Sequence, residues 1–307
     1  MVDSSFVTNT TCLHVSNLDT SIKWYSDAFG CSVIKSVETD KYTSAFVALD
    51  SEGHLYKGAP VSARDGVIEL RQLKNASPEV TIYSGNSDPY RGFGHLCFSV
   101  SDIEAAQKHL LEHNVEFKKR LEDGRQKNIA FVLDPDGYWV ELIENAIDKE
   151  VGIYNITSNR MNHTMVRVKD PVKSLDFYKG ILGMKLYSKR EFPDAKFTLY
   201  FLGYEHDPNY EEGHETPVPQ ARRQSIIELT HNWGTENDDS FDGYYVFGKD
   251  NNVIGFDHFS ISCKDATAFI KELELKNANF ISKSTETATI ADPDGWKVEI
   301  HSHDYLN

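Results

Sequence analysis

The 307-residue sequence predicts an α+β protein of four βαβββ modules paired into two curled antiparallel sheets. Two observations carry this. The chain repeats itself: "NTTCLHVSNLDTSIKWYSDAFGCSV" from Asn9 lines up with "NHTMVRVKDPVKSLDFYKGILGMKL" from Asn162, and "LDPDGYWVELIE" near Asp134 lines up with "ADPDGWKVEIHS" near Asp292. Within each half, a strand, an amphipathic helix and several further strands then occur twice. The halves, residues 1–150 and 158–307, are read as two domains of two modules each, joined by the linker "AIDKEVGIYNITSN".

Taken in order, the helices are "LDTSIKWYSDAFG", "SDIEAAQKHLLEHN", the segment after "NHTMVRV", and "KDATAFIKELELKN". The third has Asp170 as N-cap and Pro171 at its first position, an apolar stripe of Val172, Leu175, Tyr178 and Leu182, and a stop at Gly183. Each "DPDG" has Pro and Gly where a type I turn favours them and feeds the last strand of its half. The acidic, Gly/Pro-containing "EHDPNYEEGHETPVP" reads as a surface insertion.

A hydrophobic fraction of 40% is ordinary globular material. The net charge of −15 and pI near 5.2 argue against sequence-independent binding to nucleic acid or anionic lipid, which depends on neutralising phosphates. An anionic ligand would need cations placed locally. The N-terminus lacks a basic and apolar targeting pattern and no run is long enough to span a bilayer, so a soluble cytoplasmic protein is expected. Cys12, Cys31, Cys97 and Cys263 lack C-x-x-C spacing and are expected to be reduced core residues.

Four short strands carry polar side chains that a core would reject. "NHTMVRV" places His163, Met165 and Arg167 on one face. "IIELTHN" has Glu228 with Thr230 and Asn232 on the same face, "RGFGHLCF" has His95 with Arg91, and "GYWVELIE" has Glu141. A single His or Glu on a strand more often faces solvent, because antiparallel sheets commonly have one wet face. Two imidazoles and two carboxylates, one per strand, nonetheless suit a borderline divalent metal if a sheet curves around them.

"IELTHNWGTEND" (227–238), "RGFGH" (91–95) and "DPDGYWVE" (134–141) are the motifs by which the chain resembles the two-domain fungal form of the glyoxalase I family, within the vicinal oxygen chelate superfamily. The resemblance implies that fold, with an active site between modules. Its metal ligands would be His163 and Glu228 from the second half and His95 and Glu141 from the first. It implies Zn²⁺, with Ni²⁺ as the alternative, and glutathione as cosubstrate. The reaction is isomerisation of the methylglyoxal–glutathione hemithioacetal through an ene-diolate whose charge the metal stabilises, with Glu141 and Glu228 moving the proton. Arg167, Asn232 and Arg91, with Thr230 on the same strand, match the clamp on the γ-glutamyl end; Lys119, Gly124 and Arg125 match the region receiving the glycyl carboxylate.

The twin constellation of Thr10, Glu69, His258 and Glu299 departs from the family pattern, with Thr10 in place of a His and Arg71 and Leu73 in place of Thr and Asn. One working site is expected, and a monomer, since the duplication supplies both sides of an internal pseudo-dimer. Competing readings are an Fe²⁺ extradiol-type dioxygenase, which favours two His and one carboxylate, and a metal-free ligand-sequestering protein.

Overall fold

The computed structural model describes residues 2–54, 56–245 and 252–306. Its strands are β1 (Val7–His14), β2 (Cys31–Glu38), β3 (Tyr42–Leu49), β4 (Val67–Leu73), β5 (Thr81–Ile82), β6 (Phe93–Val100), β7 (Phe117–Lys119), β8 (Ala130–Leu133) and β9 (Trp139–Glu144) in the first half. The second half has β10 (Arg160–Val168), β11 (Lys185–Phe192), β12 (Phe197–Gly203), β13 (Ile226–Asn232), β14 (Val253–Ile254), β15 (Phe256–Cys263), β16 (Asn279–Lys283), β17 (Ala288–Ala291) and β18 (Lys297–Ser302). The helices are α1 (Leu18–Phe29), α2 (Ile103–Glu112), α3 (Pro171–Leu175), α4 (Pro217–Ala221) and α5 (Ala266–Leu275).

Two eight-stranded sheets hold the four modules, in the orders β16-β17-β18-β15-β1-β4-β3-β2 and β11-β12-β13-β10-β6-β9-β8-β7. Each sheet therefore joins a module from one half to a module from the other, through antiparallel junctions at β1–β15 and β6–β10. The sheets are mixed rather than wholly antiparallel, because the first and last strands of every module, such as β10 and β13, run parallel. The cause is the helix after each first strand: it carries the chain back, so that the two hairpin reversals that follow leave the fourth strand pointing the same way as the first. A shared apolar core that includes Phe29, Phe98, Tyr178 and Trp296 lies between the elements of both halves.

Among the described residues four α-helices carry side-chain N-caps, of which the sequence predicts that of Asp170. Asn17, Asp102 and Asp265 accept from backbone N–H groups of the first turns of α1, α2 and α5. The Asp170 cap and Pro171 start α3, but its stripe differs from expectation: Val172 is 67% exposed, and the helix passes at Asp176–Ile181 into a π-helical segment. Ser174, Phe177, Tyr178 and Leu182 form the buried face, and Val172, about 120° around the helix from Tyr178, lies off it. In both "DPDG" turns the first Asp binds two following N–H groups with one oxygen and a helix tyrosine with the other, Tyr25 to Asp134 and Tyr178 to Asp292. Each turn is thereby tied to the first helix of its own half.

All four cysteines are buried and unpaired. Among the described residues no helix is long and apolar enough to cross a membrane. The stretch read as a surface insertion, residues 205–219, runs into the start of α4, whose Gln220, the next residue, is buried.

Candidate active site

β10 and β6 are neighbours at the centre of the second sheet, flanked by β13 and β9, so each of the four polar strands stands beside another. Thr164 to Val168 of β10 pairs with Ile227 to His231 of β13, and His95 to Glu144 spans the parallel pairing of β6 with β9. His95, Glu141, His163 and Glu228 are all buried, with one donor atom from each lying within 4.8 Å of the others. His163 Nε2 is 3.1 Å from Glu141 Oε2, 3.0 Å from Glu228 Oε2 and 3.2 Å from His95 Nε2.

Asn162 orients this group. Its Nδ2 donates to the carbonyls of Gln220 and Arg223 at 2.9 Å each, which leaves its Oδ1 to accept from His163 Nδ1 at 2.8 Å. The proton of a neutral His163 therefore sits on Nδ1 and its Nε2 lone pair faces the three other donors. Thr230 Oγ1 donates to Glu228 Oε1 at 3.1 Å and fixes that carboxylate. Burial opposes charge on Glu141, yet the imidazoles of His95 and His163 outweigh it and hold the carboxyl well below the usual range. Burial likewise opposes charge on His163, but the Cys97 thiol and the two glutamates push it well above an ordinary imidazole. The pocket thus draws in positive charge. Two buried carboxylates and two imidazoles converging on one point are the donor set that a divalent ion takes.

These four residues form part of the wall of a cavity of about 330 Å³. Arg91, Arg167, Thr230 and Asn232 also line it, as the sequence predicts. Among the described residues Arg167 hydrogen-bonds only neutral groups, Asn86 Oδ1 at 3.1 Å and the carbonyls of Gly85, Gly92 and Phe93; burial and the charge of Arg91 lower its pKa to about 10. Asn232 Nδ2 donates to Tyr244 Oη at 2.9 Å, and Arg91 pairs at 3.1 Å with Asp88.

Lys119, Gly124 and Arg125 are not among the residues of the cavity wall. Lys119 instead donates to the carbonyls of Gln126 and Ile129, two residues that do line it, at 2.7 and 2.6 Å. The wall also includes Arg190, Gln220, Phe192, Leu199 and Phe201, none of which the motifs single out. Period-2 alternation in "KFTLYFLG" could have flagged Leu199 and Phe201; no local signal marks Gln220.

The twin cavity, about 150 Å³, is lined by Thr10, Glu69, His258 and Glu299 together with Arg71. There the Arg71 guanidinium lies 2.9 Å from Glu69 and 3.1 Å from Asp257, and Ser44 Oγ also donates to Glu69. His258 Nδ1 meets Asp257 at 2.9 Å, while its Nε2 is 3.3 Å from Glu299 and 3.9 Å from Glu69. Cys12, Glu69 and His258 bring donor atoms together here, but Arg71 already neutralises Glu69 and Thr10 offers no imidazole, so this set is poorer for a divalent ion than the four residues of the larger cavity.

The model of the Glyoxalase/Bleomycin resistance protein/Dioxygenase superfamily matches the chain twice, over residues 8–142 and 160–300. "Glyoxalase I" of Saccharomyces cerevisiae is 40% identical over 98% of this chain and 94% of its own length. The chain belongs to the glyoxalase I family. "Lactoylglutathione lyase" of Schizosaccharomyces pombe is 39% identical over 97% of this chain and 96% of its own. As a member of the glyoxalase I family the chain is an enzyme of the lactoylglutathione lyase type. A glyoxalase I mutant structure from Zea mays shares the fold, with a TM-score of 0.72 and 24% identity over 97% of this chain and 93% of that one.

Proposed function

We propose that this glyoxalase I family member isomerises the hemithioacetal of methylglyoxal and glutathione to S-D-lactoylglutathione, at a single working site between the halves. The observation that carries the reading is the convergence of His95, Glu141, His163 and Glu228 in one cavity with Arg167, whose hydrogen bonds among the described residues are all to neutral groups. His95, Glu141, His163 and Glu228 would hold the ion, with Zn²⁺ preferred and Ni²⁺ the alternative. Bound there, it supplies Lewis-acid stabilisation of negative charge on the substrate's oxygens.

The reaction removes a proton from carbon beside a carbonyl and returns it to the neighbouring carbon, passing through an ene-diolate. Glu141 and Glu228 flank His163 at nearly equal distance, 3.1 and 3.0 Å, so both carboxylates face the same central space. Glu141 takes the part of the base; Glu228, steadied by Thr230, acts on the other face or the other enantiomer. Arg167, Arg91 and Asn232 receive the γ-glutamyl end, where a guanidinium can grip a carboxylate bidentately. Lys119, by gripping two carbonyls, braces the loop on which Gly124, Arg125 and Gln126 lie near the glycyl end.

Domains of residues 1–150 and 158–307, a monomeric state and a cytoplasmic location complete the reading. The test is thioester formation from methylglyoxal and glutathione by purified protein, before and after chelation and with Zn²⁺ or Ni²⁺ restored. Activity lost on chelation and regained with metal is expected. Undiminished activity in chelator, or ligand binding without turnover, would favour a metal-free binding protein; oxygen consumption would favour a dioxygenase.

A further inference from the structure

Three guanidinium groups reach the wall of the active-site cavity, and two of them, Arg91 and Arg167, belong to the clamp. The third is Arg190 on β11, which pairs with Leu199 of β12. Its guanidinium lies 4.9 Å from the ring centroid of Phe201, and that ring is 5.5 Å from the imidazole of His163. Arg190 Nη2 donates at 2.6 Å to Gln220 Oε1, a neutral acceptor that Ser188 Oγ also binds at 2.6 Å. Among the described residues no carboxylate forms an ion pair with Arg190. Burial disfavours its charge, and the carboxylates of Glu228, Glu141 and Glu215 oppose that only from beyond contact distance, so the guanidinium has no directly bonded counter-ion. The two cations that the sequence offers for the far end of the substrate are placed differently: Lys119 is engaged with main-chain carbonyls, and Arg125 is exposed and off the cavity wall.

We propose that Arg190, steadied by Gln220, receives a carboxylate of the substrate on a wall separate from the Arg91–Arg167 clamp. This rests on the glutathione-dependent reading above, in which one carboxylate already occupies the clamp. A second carboxylate has two possible sources, the glycyl end of glutathione or an acidic substituent on the 2-oxoaldehyde. Arg supplies a planar two-donor fork for either.

The experiment compares wild type, Arg190→Met and Arg190→Lys on three hemithioacetals: methylglyoxal with glutathione, methylglyoxal with γ-glutamylcysteine, which lacks the glycine, and 4,5-dioxopentanoate with glutathione. If the glycyl end is the source, the preference for glutathione over γ-glutamylcysteine in kcat/KM falls about tenfold or more in Arg190→Met, chiefly through KM, with a partial recovery in Arg190→Lys. If the substituent is the source, the preference for 4,5-dioxopentanoate over methylglyoxal collapses instead. Calorimetric binding of S-methylglutathione and its γ-glutamylcysteine counterpart gives the same comparison without turnover for the glycyl source. Should Arg190→Met fail to fold, Arg190→Lys carries the comparison, since it keeps the charge and loses the fork. Both ratios unchanged would overturn the proposal. Wild type inert on every hemithioacetal would instead sink the parent reading, and this inference with it.

Discussion

Asn162 shows how much a residue beside a ligand can decide. Its amide is committed to two carbonyls, and its oxygen selects the tautomer of His163. Replacing it with Ala leaves that imidazole free to turn, and such outer contacts are worth about 10–100-fold in metal affinity. Asn162→Ala should therefore need roughly that much more Zn²⁺ for half-maximal activity, measured by metal titration of stripped protein. The glutamates give a sharper contrast. Glu141→Gln and Glu228→Gln should each lower kcat by roughly 10²–10⁴-fold, the span of general acid–base catalysis. Glu299→Gln, in the twin cavity, should stay within about twofold of wild type if one site works. Equal losses in Glu141→Gln and Glu299→Gln would show two working sites.

At the scale of the elements, the junction of β6 with β10 depends on Gly94. The register advances from Met165–His95 to Val166–Phe93, so β6 spends an extra residue there and bulges. Phe93 consequently turns into the core against Phe256, while His95 stays at the cavity beside Phe131. Simple alternation would have set Phe93 and His95 on one face. A Cβ on Gly94 would collide with the thioether of Met165, a buried but flexible side chain that would have to move. Gly94→Ala is expected to cost about 1–3 kcal/mol through overpacking against the Met165 side chain, read as a lowered denaturation midpoint. A midpoint unchanged from wild type would show that the bulge accommodates the methyl.

At the scale of the whole molecule, the pairing of modules across the halves creates two cavities and distributes cations unequally between them. Arg71 satisfies Glu69 and Asp257 in one, whereas in the other Glu141 and Glu228 face each other across His163 with no Lys or Arg paired to them among the described residues. Metal analysis of purified chain should give one divalent ion per molecule, and Thr10→His alone should not raise the count, because Arg71 still neutralises Glu69 there. Two ions per wild-type chain would contradict the single-site reading. The duplication, and the polar side chains of His95, Glu141, His163, Glu228, Arg91, Arg167, Thr230 and Asn232 that line one cavity, were legible in the sequence, while the roles proposed for them came from the family resemblance. Repeats, strand periodicity and polar side chains on apolar strands are local patterns that survive without coordinates. The π-turn at Asp176–Ile181, the bulge at Gly94, the commitment of Lys119 to carbonyls and the arrival of Arg190 and Gln220 at the cavity were decided only by tertiary structure. Each of these depends on which atom of a distant strand or loop lies close by, and such proximity comes from the curling and cross-pairing of the sheets, which no segment specifies by itself.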